Sequence, residues 1–390
     1  IETDRSYMLS TGRLVQGNNL TLGKDAHNMF DVALGIASRP KPKGINYAVS
    51  SRYELTGTRS HLTENHIETK GFVSANWDID ELGMNLSLDN LFYNNPSATD
   101  LLFTTVIDEL DSYSVLSFKP FYKFRREIWN LQLGFNVFFS FNKGKAVCLT
   151  PNVKGEVALV RDLFYLYGGV VGDYTTNSMR NIFNENEYLR PDVHVDQTYT
   201  PIDAFAGVKV KMFDYLILNA FLGYKYIDNQ YFYVNHLIDS PNYYLYDNTF
   251  DVVIDDAGVF NTGASITYNW NQSLSILLKG VYNNWNVGSQ EYAWHKPAWQ
   301  LDLDVSYKIN KDISVSANAF ALGKRYARGY MNEAVKLKPI FDLSLSGTYE
   351  YTSWLSFFLN VNNIFAQRYQ LWYGYNSHRF NAMAGAVFSF

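Results

Sequence analysis

Apolar and polar residues alternate along most of the chain with a period of two. In residues 299–309 the odd positions Trp299, Leu301, Leu303, Val305, Tyr307 and Ile309 are apolar or aromatic, whereas Gln300, Asp302, Asp304, Ser306 and Lys308 fall between them. Residues 337–351 repeat the pattern, with Phe341, Leu343, Leu345 and Tyr349 on one face and Lys338, Asp342, Ser344, Ser346, Thr348 and Glu350 on the other. Residues 118–125 set Phe118, Pro120, Tyr122 and Phe124 against Lys119, Lys123 and Arg125; residues 204–212 set Ala204, Ala206, Val208, Val210 and Met212 against Lys209 and Lys211. A helix, with its period of 3.6, cannot hold these sets apart, whereas a strand does so at every step. The alternating segments are about 10–14 residues long, against roughly 5–6 for a globular strand. A tilted strand that crosses a bilayer needs about 9–11. The pattern therefore predicts transmembrane strands with an apolar face toward lipid and a polar face toward a lumen.

Two kinds of connection separate the strands. Tight polar turns fall at 77–81, 212–215, 269–272, 310–312 and 351–354, and longer stretches at 176–198, 228–250 and 285–297. Short connections on one side and long ones on the other are the asymmetry of outer-membrane barrels, with the short turns periplasmic. Strands are expected to start near Thr3, Asn28, Ile45, Ile67, Leu82, Asp111, Ile128, Ala146, Phe164, Thr198, Tyr215, Phe250, Leu274, Ala298, Ile313, Leu337, Trp354 and His378. The expected fold is thus all-β: a transmembrane antiparallel up-and-down β-barrel of about 18 strands, both termini periplasmic. Omitting the Thr3 and Asn28 strands gives 16 as the alternative. Residues 1–390 form one barrel domain, with 1–26 either a first strand or a periplasmic extension.

Composition narrows the class further. Aromatic residues make up 17% of the chain and charged residues 18%, so the chain has more rings and fewer charges than a soluble domain. Mean hydropathy is nonetheless slightly negative, as alternation requires. No apolar run is long enough for a transmembrane helix. Tyr268, Trp270, Tyr307, Tyr349, Tyr351, Tyr224, Tyr226 and Trp299 sit at the ends of apolar faces, where amphipathic rings form the two girdles of a barrel. The single Cys148 excludes a disulfide framework and a multi-thiolate metal site. A net charge of −5 gives no footprint for nucleic acid. The start at Ile1 fits a mature chain after removal of a signal peptide, or a trimmed chain.

The last alternating segment is the most specific. Phe380, Ala382, Ala384, Ala386, Phe388 and Phe390 share a face, and Gly385, Phe388 and Phe390 resemble the Gly-x-x-aromatic-x-Phe insertion signal of bacterial outer-membrane barrels. Upstream, residues 360–369 (NVNNIFAQRY) resemble the N-L-F-D-x-x-Y segment near the end of TonB-dependent receptor barrels, with Ala366 in place of the usual Asp. The resemblance is close over the last 50 or so residues and one of pattern elsewhere. Such receptors carry an N-terminal plug and a TonB box, for which residues 1–24 leave no room. The chain therefore resembles a plugless, shortened receptor barrel. Its aromatic- and Asn-rich style resembles proteins of the Bacteroidota.

Candidate chemistry lies in the lumen and the long connections. Lys119, Lys123, Arg125, Lys209 and Lys211 are expected to face inward, opposed by Asp302, Asp304 and Asp342. They would either set up a transverse field across the passage or pair with one another. Tyr231, Tyr233, Tyr243 and Tyr244 crowd one expected loop and Trp285 and Trp294 the next, as contacts for a ligand or partner or as rings packed together. His61, Glu64 and His66 form an H-x-x-E-x-H string that reads as solvated loop rather than a metal site. No catalytic set stands out, so neither enzymatic activity nor a metal or other cofactor is expected.

Two functions remain. One is a channel or passive transporter, porin-like, in the outer membrane of a Gram-negative bacterium. The other is a structural subunit of an outer-membrane assembly or secretion machine, its lumen closed. Expected partners are outer-membrane lipid, outer-membrane proteins, and the barrel-assembly machinery during insertion. Deleting Phe390 should lower the amount of folded protein in the membrane without reducing export to the periplasm; normal assembly, read by fractionation, would remove that role from Phe390.

Overall fold

The computed structural model describes residues 3–7, 26–58, 62–77, 79–95, 110–190, 193, 195–240, 243–329 and 332–389, and within these the side chains of residues 28–236 and 249–389. The strands are β1 (Thr3–Tyr7), β2 (Ala26–Ala37), β3 (Gly44–Thr58), β4 (Thr63–Trp77), β5 (Asp80–Asn94), β6 (Tyr113–Arg125), β7 (Trp129–Phe141), β8 (Val147–Val160) and β9 (Phe164–Thr175). A helix, α1 (Met179–Glu185), precedes β10 (Thr198–Met212), β11 (Leu216–Ser240), β12 (Tyr243–Trp270), β13 (Leu274–Val287), β14 (Trp299–Lys308) and β15 (Ile313–Leu322). There follow β16 (Arg325–Arg328), β17 (Ala334–Leu337), β18 (Ile340–Thr352), β19 (Leu355–Asn362) and β20 (Asn381–Phe388). All strands except β16 and β17, which pair with each other, belong to one antiparallel sheet.

Contacts divide the chain into two compact units. The first comprises Ile1–Gly155, Gly169–Ala204 and Lys225–Ala257; the second comprises Glu156–Gly168, Phe205–Tyr224 and Gly258–Phe390. In the first unit each of β1 to β7 pairs antiparallel with the next strand in sequence. In the second, β13, β14, β15, β18, β19 and β20 do the same in that order. The starts of β9, β10, β13 and β15 coincide with expectation to the residue. The tight turns close as expected, and Phe213, Asn271 and Gln272 take positive φ within them.

Three expected loops are shorter than their sequences suggested. Glu64 and His66 belong to β4, not to a loop. Residues 228–240 continue β11 and residues 243–250 open β12, so Tyr231 and Tyr233 are strand residues, as is Trp285 in β13. The backbone of Tyr243 and Tyr244 lies in β12; their side chains lie outside the described residues, as do His61 and Phe390. The cause is visible at 231–234, where Tyr-Phe-Tyr-Val has high strand propensity but no alternation. Phe232, Tyr233 and Val234 are all buried, so both faces of β11 are covered there.

Elsewhere the alternation is what the strands display. On β3, Ile45, Tyr47 and Val49 are exposed, while Glu54, Thr56 and Thr58 on the alternate set are buried. On β7, Leu133, Phe135, Phe139 and Phe141 are exposed and Asn136, Phe138 and Ser140 are buried. Leu34 and Leu149 reach 77% and 64% exposure. The apolar set is thus outer and the polar set inner, the reverse of a soluble core. No helix among the described residues is long and apolar enough to cross a membrane.

Glycines on the strands make room for rings from neighbouring strands. A Cβ on Gly83 would clash with the tip of the Phe121 ring, and one on Gly385 would meet the edge of Phe358. Gly71, by contrast, would meet Leu86 Cβ at an ordinary 3.7 Å. Gly83→Ala should therefore destabilise the fold by about 1–3 kcal/mol, seen as a lower urea midpoint. Gly71→Ala should leave that midpoint unchanged.

Candidate functional site

The densest set of polar contacts in the first unit lies on the inner face of β3, β4 and β5. The strand register builds it. Glu54 stands directly across from His66, and Glu64 directly across from Tyr93. Asp89 pairs with Glu68, which puts it diagonal to His66 and within reach of its ring. His66 Nδ1 lies 3.2 Å from Glu54 Oε2 and its Nε2 lies 3.1 Å from Asp89 Oδ1. Each ring nitrogen thus faces one carboxylate oxygen, which accepts a hydrogen bond from the nitrogen that carries a proton. Glu64 is buried; its Oε2 accepts a 2.8 Å hydrogen bond from Tyr93 Oη. Tyr93 stacks on Tyr113 with centroids 6.5 Å apart.

The cover over this cluster is the connection between β9 and β10. The described residues of this connection, 177–190, 193 and 195–197, form a strap in which Asn177, Ser178, Met179, Ile182, Phe183, Asn186, Leu189, Val193, Val195 and Gln197 are buried. Ser178 starts α1 as an N-cap, its Oγ accepting from Asn181 N at 3.3 Å. The spacing of Met179, Ile182 and Phe183 puts them on one face of this short helix. Met179 N donates to both oxygens of Glu64, at 3.0 and 2.9 Å. Arg180 reaches Asp31 at 3.3 Å and Glu54 at 3.7 Å. The other end of the strap meets β11 and β12. Tyr231 Oη and Tyr233 Oη donate to Glu185 Oε2 at 2.7 and 3.2 Å, and Tyr233 Oη also reaches Ile182 O. Arg190 N donates to Phe250 O and Phe250 N to Tyr188 O, splicing residues 188–190 onto β12 as a parallel bridge.

The inner face beneath the strap departs from polarity. Leu91, Tyr93, Tyr113, Val115 and Phe138 all belong to the inner set of their strands and are buried. Apolar side chains on that face need cover: Tyr93 and Tyr113 stack on each other, and Phe138 stacks on the Tyr174 ring and lies under Lys119 Nζ. The sequence signal for this seat is local loss of alternation, as in Leu91-Phe92-Tyr93 and Val137-Phe138-Phe139. Sequence reasoning noticed Glu64 and His66 but missed Asp31, Glu54, Asp89 and Arg180, because their meeting depends on register and on a chain reversal more than a hundred residues away.

The expected inner charges are mostly partnered. In the first unit Lys119 pairs with Asp173 at 2.8 Å, and both Lys123 and Arg125 pair with Glu81. In the second, Lys209 and Lys211 lie over the Tyr165 ring. Asp302 accepts from Gln300, Asp304 from Asn318, and the buried Asp342 from Tyr369 Oη at 2.8 Å.

The expected loop aromatics divide in the same way. Tyr231 and Tyr233 serve the strap, and Trp294 is buried with its Nε1 donating to Gln290. Trp294 belongs to a cap of connections in the second unit. There Arg325, 1% exposed, donates to the carbonyls of Gln370 and Leu371. Burial lowers its guanidinium to about 10. Of the expected insertion residues, Gly385 receives the Phe358 ring, and Phe388 is exposed and stacks on Trp354.

Among the described residues no three His, Cys, Asp or Glu side chains are placed so that they could hold one metal ion, the Glu54–His66–Asp89 set included. The arrangement is one of positioning: two walls of the first unit hold a strap across its inner face. Replacing His66 by Leu removes the imidazole that Glu54 and Asp89 share and leaves both carboxylates short of a hydrogen-bond partner. This should cost about 3 kcal/mol, read as a lower urea midpoint. Adding Glu54→Gln and Asp89→Asn to that variant should recover more than half of the loss, since the amides need no counter-charge.

Neither a scan against known protein families nor a search of curated proteins finds a match. Solved structures do match. The ferric enterobactin receptor of Pseudomonas aeruginosa is 14% identical, with a TM-score of 0.66 over 94% of this chain and 62% of the receptor. The pyoverdine outer-membrane receptor of the same species, bound to pyoverdine, is 14% identical, with a TM-score of 0.65 over 94% of this chain and 62% of the receptor. The ferric-catecholate import receptor Fiu of Escherichia coli is 11% identical, with a TM-score of 0.62 over 94% of this chain and 65% of the receptor. This chain thus spans less than two thirds of the length of these receptors. At such identities the likeness is one of fold: the chain has the strand architecture of siderophore-receptor barrels.

Proposed function

We propose that this chain is a transmembrane β-barrel of the Gram-negative outer membrane that passes a solute along its inner face without catalysis. The observation that carries the reading is the inverted distribution of side chains: an exposed apolar set on long strands, backed by a polar inner set. The fold shared with outer-membrane receptors supports it. In this reading the short turns are periplasmic and the strap lies on the side of the long connections, toward the cell exterior. The outer set contacts lipid. The barrel-assembly machinery engages the last strand, β20, during insertion. The solutes of the matched receptors are theirs; for this chain the inner face specifies only a polar, water-borne solute.

A second reading has its own support. The strap and the paired charges fill much of the inner face of the first unit, as a structural subunit with a closed lumen and protein partners would require. Planar-bilayer recording of the purified protein decides between them. The transport reading expects discrete conductance steps from the protein alone, larger after residues 177–197 are replaced by a Gly/Ser linker. Silence of both forms, with stoichiometric co-purification of other outer-membrane proteins, would establish the structural role instead.

A further inference from the structure

We propose that the inner face of β13, β14, β15 and β18 binds a small polyhydroxylated oxyanion, of the class of a sugar phosphate, with Lys308 as the residue that meets its charge. The proposal rests on the transport reading for the passage of that solute, and on the geometry of the second unit for its binding. It narrows the polar solute of that reading to an anionic one. The strand register builds the site in two rows. Ser275 stands across from Ser306, Ser306 from Ser316 and Ser316 from Ser346, so that four hydroxyls lie side by side over four strands. At the next same-face position toward the short turns, Lys308 stands across from Ser314, and Ser314 from Thr348. All seven line one cavity of about 390 Å³, within the range of roughly 300–1,000 Å³ that suits a small ligand.

The two rows differ in how far they are satisfied. In the first, Ser316 Oγ and Ser346 Oγ share a 2.6 Å hydrogen bond, and Ser275 Oγ donates at 2.8 Å to Asn269 Oδ1, which also lines the cavity. In the second, Lys308 Nζ and the hydroxyls of Ser314 and Thr348 form no hydrogen bond or ion pair among the described residues. No carboxylate lies among the residues that line the cavity. Asp302 accepts from Gln300, Asp304 from Asn318 and Asp342 from Tyr369 Oη, so these inner carboxylates have neutral donors of their own. Asp312 and Glu350, beside the short turns, lie outside the lining and form no ion pair with Lys308 among the described residues. The inner cations Lys119, Lys123 and Arg125 of the first unit, by contrast, are each tied to a carboxylate.

An ammonium among hydroxyl donors, on a wall without an acid, attracts an anion and repels a cation. An oxyanion placed there accepts from Lys308 Nζ and from Ser314 and Thr348, which break no bond within the protein in turning to it. The serine row donates and accepts at once, and so matches the hydroxyls of the same solute. A neutral sugar would leave the ammonium without a partner, and inorganic phosphate would leave the serine row unused. The site as a whole fits a solute that carries both groups.

Calorimetry tests the site without reference to transport. Glucose 6-phosphate, inorganic phosphate and glucose are titrated into the full chain in detergent, and into Lys308→Gln, Lys308→Arg, Thr348→Val and Lys311→Gln. Lys308 and Lys311 are both exposed, so their replacement leaves the packing intact; heat-dependent gel mobility confirms that each variant is folded. The intact chain should bind glucose 6-phosphate more tightly than inorganic phosphate, and glucose not measurably. Lys308→Gln should weaken glucose 6-phosphate binding by about tenfold and Thr348→Val by about threefold, as loss of a charged and of a neutral contact predicts. Lys308→Arg, which keeps the charge, and Lys311→Gln, outside the lining, should both stay within about twofold of the intact chain. The site is overturned by no saturable binding of either phosphate compound, by glucose or inorganic phosphate binding as tightly as glucose 6-phosphate, by an affinity unchanged in Lys308→Gln, or by an equal loss in Lys311→Gln. Planar-bilayer current is recorded on the same samples. Binding that depends on Lys308, with no current from any form, upholds the site and overturns the transport reading alone.

Discussion

A strand delivers successive side chains to opposite faces, and in this protein everything depends on what covers each face. Where only the outer face is apolar, the sequence alternates strictly, as in β14 with Leu301, Leu303 and Val305 against Asp302, Asp304 and Ser306. Where a second layer covers the inner face too, alternation lapses and both faces become apolar. The polar inner groups satisfy one another across strands: Glu81 with Lys123 and Arg125, His66 with Glu54 and Asp89, Ser316 with Ser346. Backbone groups are satisfied by the antiparallel ladder. That division leaves the outer surface free to be uniformly apolar.

The strap follows from the same constraint. An irregular segment set against an inner wall must find partners for its exposed backbone and polar groups. Here those partners are Glu64 for the first turn of α1, Phe250 for residues 188–190 and Ser178 for Asn181. Its apolar residues Met179, Ile182 and Phe183 are themselves buried. The inner charges of β5 and β6 are drawn into local pairs. The chemistry of the inner face of the first unit is therefore set by the strap as much as by the wall.

Much of this was legible in the sequence, for identifiable reasons. Strand positions and tight turns were readable because a period of two and the turn residues near 213 and 271 are local signals. The grouping of Lys119, Lys123 and Arg125 on one face of β6 was readable because they occupy alternate positions. Their pairing with Asp173 and Glu81 was not, since it depends on register between strands. The extension of β11 through Tyr231 and Tyr233 was missed because a burst of aromatics looks like a loop when no covering layer is suspected. The Glu64–Met179 contact joins residues 115 positions apart and leaves no periodic trace. What it does leave is indirect: runs such as Leu91-Phe92-Tyr93 mark where an inner cover must exist.

The most direct test of this division of faces is a nitroxide scan along β7 in liposomes, with collision rates measured to oxygen and to a water-soluble nickel complex. Labels at 133, 135, 137 and 139 should collide mainly with oxygen. Labels at 132 and 136 should favour the nickel complex over oxygen, and the label at 138, buried against the Tyr174 ring, should be shielded from both. Equal access to the nickel complex at odd and even positions, or nickel access at 138 matching that at 132, would contradict the assignment of lipid, polar interior and covered seat.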